Sequence, residues 1–559
     1  MKRKNIFRWI LLLILLLIGS IAIYGVWQWN KQSQASLTPW TRAIPSGAVY
    51  VLQTEHPRNL WREVHSHPLF RNISRLPDYR FLQSVDSLLN NYVVENDLTS
   101  DFFRRRNFAL SAHIVAGNDY DFLYVLDLEK IIPANQMMGL IRQFGPKSMR
   151  IKKLKINERP VWKISGLTDD PIYVSAYRNL ALMSFSYQIL RQSLLDIEGK
   201  DWLQDEQMQS INEEIDGGLA RFYFNYRQLP AFLSTFGIKP GAMSYGFARS
   251  FRLSGLGLER KKDLVIARGI TLPDTATNLL EPFRQTRGAG TEAPDVLPGR
   301  TLLYTSLHTS DFATFYRTAL QEHFRKHPGQ GEIYRKYTGQ LKRWLGFDVD
   351  KDFIAWIGDE IGLAQLPAEG GKKSVALLIR ADDIDFAREK MDFLARKLRS
   401  RTPVKFRSYD YEGYTINYLS EKSFFRMLFG KWTDGMSLPY YTIANDFVIF
   451  SDNEKTLEQI LNARISHRTL SRVPAFRRIA RKAEGKMHLQ ILLNVPAFYT
   501  EMYKSLSGAR RKALSDWYAV AHALQFVQMQ WLVRDTDIKT GVIFQSSEKK
   551  RLNENAKSR

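Results

Sequence analysis

The string Trp356-Ile-Gly-Asp-Glu-Ile-Gly-Leu363 joins two adjacent carboxylates to glycines at the entry of a β-like run. Paired carboxylates could serve general acid–base hydrolysis, whereas Gly358 in the same place reads equally as a turn or helix end. His323-Phe-Arg-Lys-His327 sets two imidazoles at i and i+4 on one helical face, a spacing that a metal ion can bridge. Arg325, Lys326, Arg335 and Lys336 surround that pair with positive charge, which repels a cation and favours a solvated helix. His65-Ser-His67 is equally sparse. No Walker loop, dinucleotide glycine signature, Gly-x-Ser-x-Gly elbow or His-Glu-x-x-His string occurs. Two Ser-x-x-Lys matches, beginning at Ser546 and Ser547, fall in a charged tail that cannot enclose a cavity. The sequence therefore predicts no catalytic residue, no cofactor and no metal ligand.

Basic clusters are the stronger signal. Lys147, Arg150, Lys152, Lys153 and Lys155 crowd one stretch, and Arg477, Arg478, Arg481 and Lys482 another, each with a single nearby glutamate, Glu158 or Glu484. Across the chain 80 basic residues face 57 acidic ones, a net charge of +23. Such a field favours an anionic partner: a phospholipid headgroup, lipopolysaccharide or an acidic wall polymer. These nine residues are the candidate anionic-surface contacts.

Residues 9–29 carry no charged side chain and span roughly 30 Å as a helix at ~1.5 Å per residue, enough to cross a bilayer. Lys2, Arg3, Lys4 and Arg8 precede this run, and aromatic residues stand at both its ends. The pattern predicts an uncleaved signal anchor, Trp9–Trp29, in a bacterial inner membrane, with residues 1–8 cytoplasmic and the bulk periplasmic. A cleaved signal peptide competes with this reading, but the run is long and lacks a good cleavage site. Export excludes nucleic acid as a partner. The absence of cysteine suits an oxidising compartment and removes disulfides, thiolate nucleophiles and cysteine-held metals.

The positioning elements read twice. Pro45–Val51 returns as Pro298–Tyr304, and Phe108–His113 returns as Ile361–Leu366 at the same offset. Leu229-Pro-Ala-Phe232 later matches Val495-Pro-Ala-Phe498. The spacing of hairpin-like strands and short helices predicts an α+β fold of two duplicated halves, each with a mostly antiparallel sheet and packed helices behind the transmembrane helix. The predicted organisation is a tether over 30–44, a first repeat over 45–272, a linker over 273–297, a second repeat over 298–545 and a charged flexible tail over 546–559. The linker assignment rests on Arg287-Gly-Ala-Gly-Thr-Glu-Ala-Pro294, whose composition suggests an unpacked segment. The first repeat has Arg105-Arg-Asn-Phe108 where the second has its acid pair, so Asp359 and Glu360 are not common to both copies.

With the anchor, Ile44-Pro-Ser-Gly-Ala, Phe347-Asp-Val-Asp-Lys-Asp-Phe353 and Trp356-Ile-Gly-Asp-Glu360, the chain resembles a family of uncharacterised bacterial membrane-anchored envelope proteins, a domain of unknown function frequent in the Bacteroidetes. The resemblance implies an exported protein without assigned activity and supplies no site residues. The leading expectation is a non-catalytic, membrane-anchored periplasmic protein that binds an anionic envelope component or a protein partner. The alternatives are a lipid carrier or chaperone with an apolar groove, and a hydrolase built on Asp359 and Glu360.

Overall fold

Successive side chains of a strand point to opposite faces, so a strand buried along its whole length must be covered on both sides. Asp119–Asp127 is such a strand from Asp121 onward: Phe122, Tyr124 and Leu126 enter one hydrophobic core and Leu123 and Val125 the other. The computed structural model describes residues 37–547 apart from 77–104, 117–118, 132–134, 136, 140–141, 143–148, 167–169, 200–205, 236–241, 275–279, 370–371, 402–406 and 419–437. They divide into two units, Met1–Ala276 and Thr277–Arg559.

The strands of the first unit are β1 (Tyr50–Thr54), β2 (Phe108–Ala116), β3 (Asp119–Asp127), β4 (Arg150–Ile156), β5 (Arg159–Ser165), β6 (Ile172–Tyr177), β7 (Leu180–Ser184), β8 (Ala220–Asn225), β9 (Phe251–Lys261) and β10 (Leu264–Pro273). They pair antiparallel in the order β4-β5-β6-β7-β3-β2-β1-β8-β9-β10. The second unit has β11 (Leu303–His308), β12 (Ile357–Glu369), β13 (Lys372–Ala381), β14 (Arg407–Tyr411), β15 (Tyr414–Tyr418), β16 (Tyr440–Ala444), β17 (Phe447–Ser451), β18 (Leu489–Asn494), β19 (Leu524–Val533) and β20 (Ile538–Ser546). Their order, β14-β15-β16-β17-β13-β12-β11-β18-β19-β20, repeats the first strand for strand. Register repeats too: Tyr50 stands opposite Ala112, and Leu303 opposite Gln365.

Local chemistry agrees between the units. The helix Tyr187–Asp196 begins at Ser186, whose hydroxyl accepts from the Ile189 amide, and its counterpart Glu454–Ile465 begins at Asn453, which accepts from the Thr456 amide. Each cap satisfies a helix-end donor that would otherwise lack a partner. Ile189, Leu190 and Leu194 are buried on one face of the first helix, and Leu457, Ile460 and Leu461 on one face of the second. Burying each such side chain contributes about 1.5–3 kcal/mol.

One expectation is corrected. Among the described residues no helix is long and apolar enough to cross a membrane. The two longest described helices, Pro328–Leu345 and Ile384–Arg401, are studded with charge. The anchor expected over Trp9–Trp29 lies outside the described residues, and the transmembrane, single-pass, inner-membrane architecture is replaced by an α+β fold of antiparallel sheet and helices. Where the sequence suggests a tether and a linker, the described residues 37–44 and 280–297 include packed stretches. Residues Trp40–Ala43 and Ala293–Asp295 form short 3-10 turns at equivalent points, with Ala43 and Ala293 fully buried. Thr38 is tied to Asn179 by reciprocal bonds of 2.7 and 3.1 Å, and the Ala289 amide donates to Met487 at 3.0 Å. Glycine, threonine and proline read as loop in the sequence, yet here bonds from distant residues hold them.

Candidate functional site

Glu360 has 1% of its surface exposed and accepts four hydrogen bonds: from the Thr291 hydroxyl at 2.6 Å, the Glu292 amide at 2.7 Å, the Tyr304 hydroxyl at 2.8 Å and the Ala293 amide at 3.1 Å. Burial pushes its carboxyl above the usual range, and these donors pull it back. The ring of Tyr304 passes over Gly362, where a methyl group would collide with it. Adjacent Asp359 pairs instead with Arg380 at 2.6 Å, and Arg380 also reaches Glu292 at 3.0 Å. Glu360 is consumed in fastening the Thr291–Ala293 segment and Asp359 in an ion pair. A hydrolytic pair needs carboxylates that converge on substrate, and these two hold the fold.

In the first unit Arg106 and Asp127 occupy the places of Asp359 and Arg380, and their charges attract each other. Burial nevertheless pushes the Asp127 carboxyl up, with Asn179 at 2.8 Å and Arg106 opposing. The same joint is thus built with reversed polarity.

Three histidines are deeply buried. His113 lies 2.8 Å from the Ser111 hydroxyl and His308 2.7 Å from the Ser306 hydroxyl, while His488 accepts from the Val533 amide at 3.0 Å. Burial depresses His113 to about 3 and His308 and His488 to about 4, so all three are neutral near pH 7. His323 and His327 have ring centroids 5.0 Å apart, but the former shares a 2.6 Å bond with Gln330, and no group of three metal-ligating side chains stands together among the described residues. A cavity of about 330 Å³ in the first unit is lined by Pro45, Ser46, Gly47, His113, Ile114, Val115, Gln188, Ile189, Gln192 and Asp196. Its walls mix polar side chains with the apolar Ile114, Val115 and Ile189.

The basic candidates divide between the units. Lys147 lies outside the described residues. Arg150, Lys152, Lys153 and Lys155 are exposed on β4, the outermost strand described in its sheet, but alternation sends Lys152 and Lys153 to opposite faces. Lys152 stands directly across from Lys163 on β5, and Lys163 lies 6.0 Å from the Tyr173 ring centroid. Like charges placed directly opposite destabilise a ladder. Lys155 is neutralised by Glu158 at 2.8 Å. On the helix Pro474–Ala480, Phe476 and Ile479 are buried while Arg477 is exposed and Arg478 half-buried; Arg481 and Lys482 continue the exposed side. Only strand register reveals that Lys152 and Lys163 are partners.

No protein-family model matches the chain, and no curated protein matches it. Among solved structures it is similar to crystal forms IV, III and I of TP0453, at 12% identity throughout. The first covers 44% of this chain and 85% of TP0453 with a TM-score of 0.25, the second 46% and 90% with 0.25, and the third 43% and 80% with 0.24. A likeness this shallow carries no argument about architecture or activity.

Proposed function

We propose that the chain is a non-catalytic binding module for an anionic surface, an anionic lipid, lipopolysaccharide or wall polymer, with a cationic patch on each unit. The observation that carries this reading is the Lys152–Lys163 pair, two like charges held side by side on a sheet edge. An acidic ligand relieves that repulsion. Arg477 and Arg481 lie one helical turn apart in the second unit, and Arg477 is exposed there, which supports the same reading. The buried Glu360, consumed by its four hydrogen bonds, does not favour hydrolysis.

The test is binding of the purified chain to lipopolysaccharide and to a soluble polyanion such as dextran sulfate in low salt. The quadruple variant Lys152→Gln, Lys163→Gln, Arg477→Gln, Arg481→Gln should lose at least about tenfold in affinity for both, and salt should weaken the parent protein in the same sense. Equal binding by parent and variant would sink the electrostatic reading.

A further inference from the structure

The helix Pro328–Leu345 has its apolar residues on the side facing water as well as on the side facing the protein. Its inner face is accounted for. Tyr334 sits 5.4 Å from Phe324 by ring centroids and shares a 3.4 Å contact with the Tyr316 hydroxyl, and buried Gly331 lies close against Phe324. On the outer face Ile333 is 70% exposed and Trp344 77% exposed. At 100° per residue Ile333, Tyr337 and Trp344 return to within about 40° of one another, a stripe roughly 16 Å long. Large apolar side chains this exposed are uncommon on a free surface, and two on one helix face mark a contact.

The charges around the stripe identify what it touches. Lys336 and Arg343 are exposed and follow one side of the stripe at helical spacing, with Arg335 further round. Of the nearby acids, Glu322 and Asp348 are engaged by Arg325 at 2.7 Å and Lys342 at 2.9 Å, and exposed Glu332 stands one turn before Lys336 on the same side, leaving Lys336, Arg343 and Arg335 in excess. An occupant must therefore offer apolar depth beneath Ile333 and Trp344 and negative charge beside Lys336 and Arg343. A bilayer surface bearing anionic phospholipid offers both within one plane. Indole favours that boundary, where its ring is buried and its N–H stays near water. A convex helix ridge also suits a soft planar partner better than a preformed protein groove, which would have to wrap it.

We infer that the helix Pro328–Leu345 docks flat on an anionic phospholipid surface, with Ile333 and Trp344 immersed at the headgroup boundary and Lys336 and Arg343 on the lipid phosphates. The helix lies on the membrane and does not cross it, because its charged residues are spread along its length. This inference rests on the anionic-surface reading above and narrows it to one element and one class of partner.

The chain has no cysteine, so a single introduced thiol labels one position. Ile333→Cys carrying an environment-sensitive fluorophore should shift to the blue on vesicles of phosphatidylcholine mixed with phosphatidylglycerol, and should not shift on phosphatidylcholine alone. In co-sedimentation, Ile333→Ser with Trp344→Ser should lose at least about tenfold in affinity for the mixed vesicles while keeping its affinity for dextran sulfate. That split separates this inference from the broader one. A variant that sediments with mixed vesicles as well as the parent overturns the inference and leaves the cationic patches standing. A label that stays unshifted on mixed vesicles but is quenched on adding a protein partner also overturns the lipid assignment. Both substituted residues are exposed, and an unchanged thermal midpoint of the double variant confirms that folding is intact.

Discussion

The joint between the first packed segment and the sheet is made differently in the two units. In the second, a buried carboxylate, Glu360, gathers two backbone amides and two hydroxyls, and Asp359 pairs outward with Arg380. In the first, Asn107 takes the place of Glu360 and accepts from Gln53 at 2.9 Å, Arg106 takes the place of Asp359, and Asn179 does the tying of Thr38. Strand order and register are kept while the polar fastening is rewritten, even to the sign of the charges. Backbone pairing tolerates this because it uses no side chain, whereas each buried polar group needs its own complement. Duplication preserved the ladder and left the fastenings free to diverge, provided each remained satisfied.

The contrast can be broken by acid. A histidine neutral in the fold but free to protonate when unfolded makes stability fall as pH drops, beginning near the ordinary value of 6.5 and continuing to the depressed folded value. Within that window each such histidine costs about 1.4 kcal/mol per pH unit. The second unit holds His308 and His488, depressed to about 4, and the first holds His113, depressed to about 3. Hydrogen exchange followed from neutral pH toward pH 4 should show the second unit losing protection first. Simultaneous loss would mean that carboxylates, not these imidazoles, set the acid limit.

A second break is local. Glu360→Ala leaves four donors without an acceptor and should cost about 3–5 kcal/mol, whereas Asn107→Ala removes one neutral bond and should cost about 1 kcal/mol. Chemical denaturation of the two variants checks the ratio, and equal losses would deny Glu360 its central part. Polarity can be tested by exchange. Asp359→Arg should destabilise by about 1–2 kcal/mol through repulsion from Arg380, and adding Arg380→Asp should recover part of that. Recovery should be complete only when Glu292, which faces Arg380 at 3.0 Å, is also made neutral. The smallest effect belongs to the sheet edge. Lys152→Gln should raise stability by a few tenths of a kcal/mol by removing repulsion from Lys163, while lowering polyanion affinity.

Strand positions were legible because alternation and hairpin turns are local. Asn157 and Glu158 at the β4–β5 turn both have positive φ, 44° and 61°, and the second unit answers with Glu412 and Gly413 at 49° and 82°. The packed stretches 37–44 and 289–297 were not legible, since what orders them is Asn179 in one unit and Glu360 in the other, each far away in sequence. Asp359 and Glu360 invited a chemical reading because a string of residues does not display their partners. The outward stripe on Pro328–Leu345 was hidden for a related reason. A helix with apolar residues on two faces looks in sequence like one that is simply well buried, and only the solvent side of Ile333 and Trp344 tells them apart. Among the basic candidates, clustering along the chain overstated proximity, for β alternation separates Lys152 from Lys153 and register joins Lys152 to Lys163.

The outermost described strand of each sheet also bears on self-association. An unpaired strand edge is a template on which a further copy can add, and lysines on both faces make such growth costly because every added strand stacks like charge on like. β4, with Arg150, Lys152, Lys153 and Lys155, is guarded in this way. β14, Arg-Ser-Tyr-Asp-Tyr over Arg407–Tyr411 with Tyr409 39% exposed, carries one charge of each sign and is the weaker guard. Fibril growth of destabilised protein should therefore start from the second unit, and a lysine at Tyr409 should slow it.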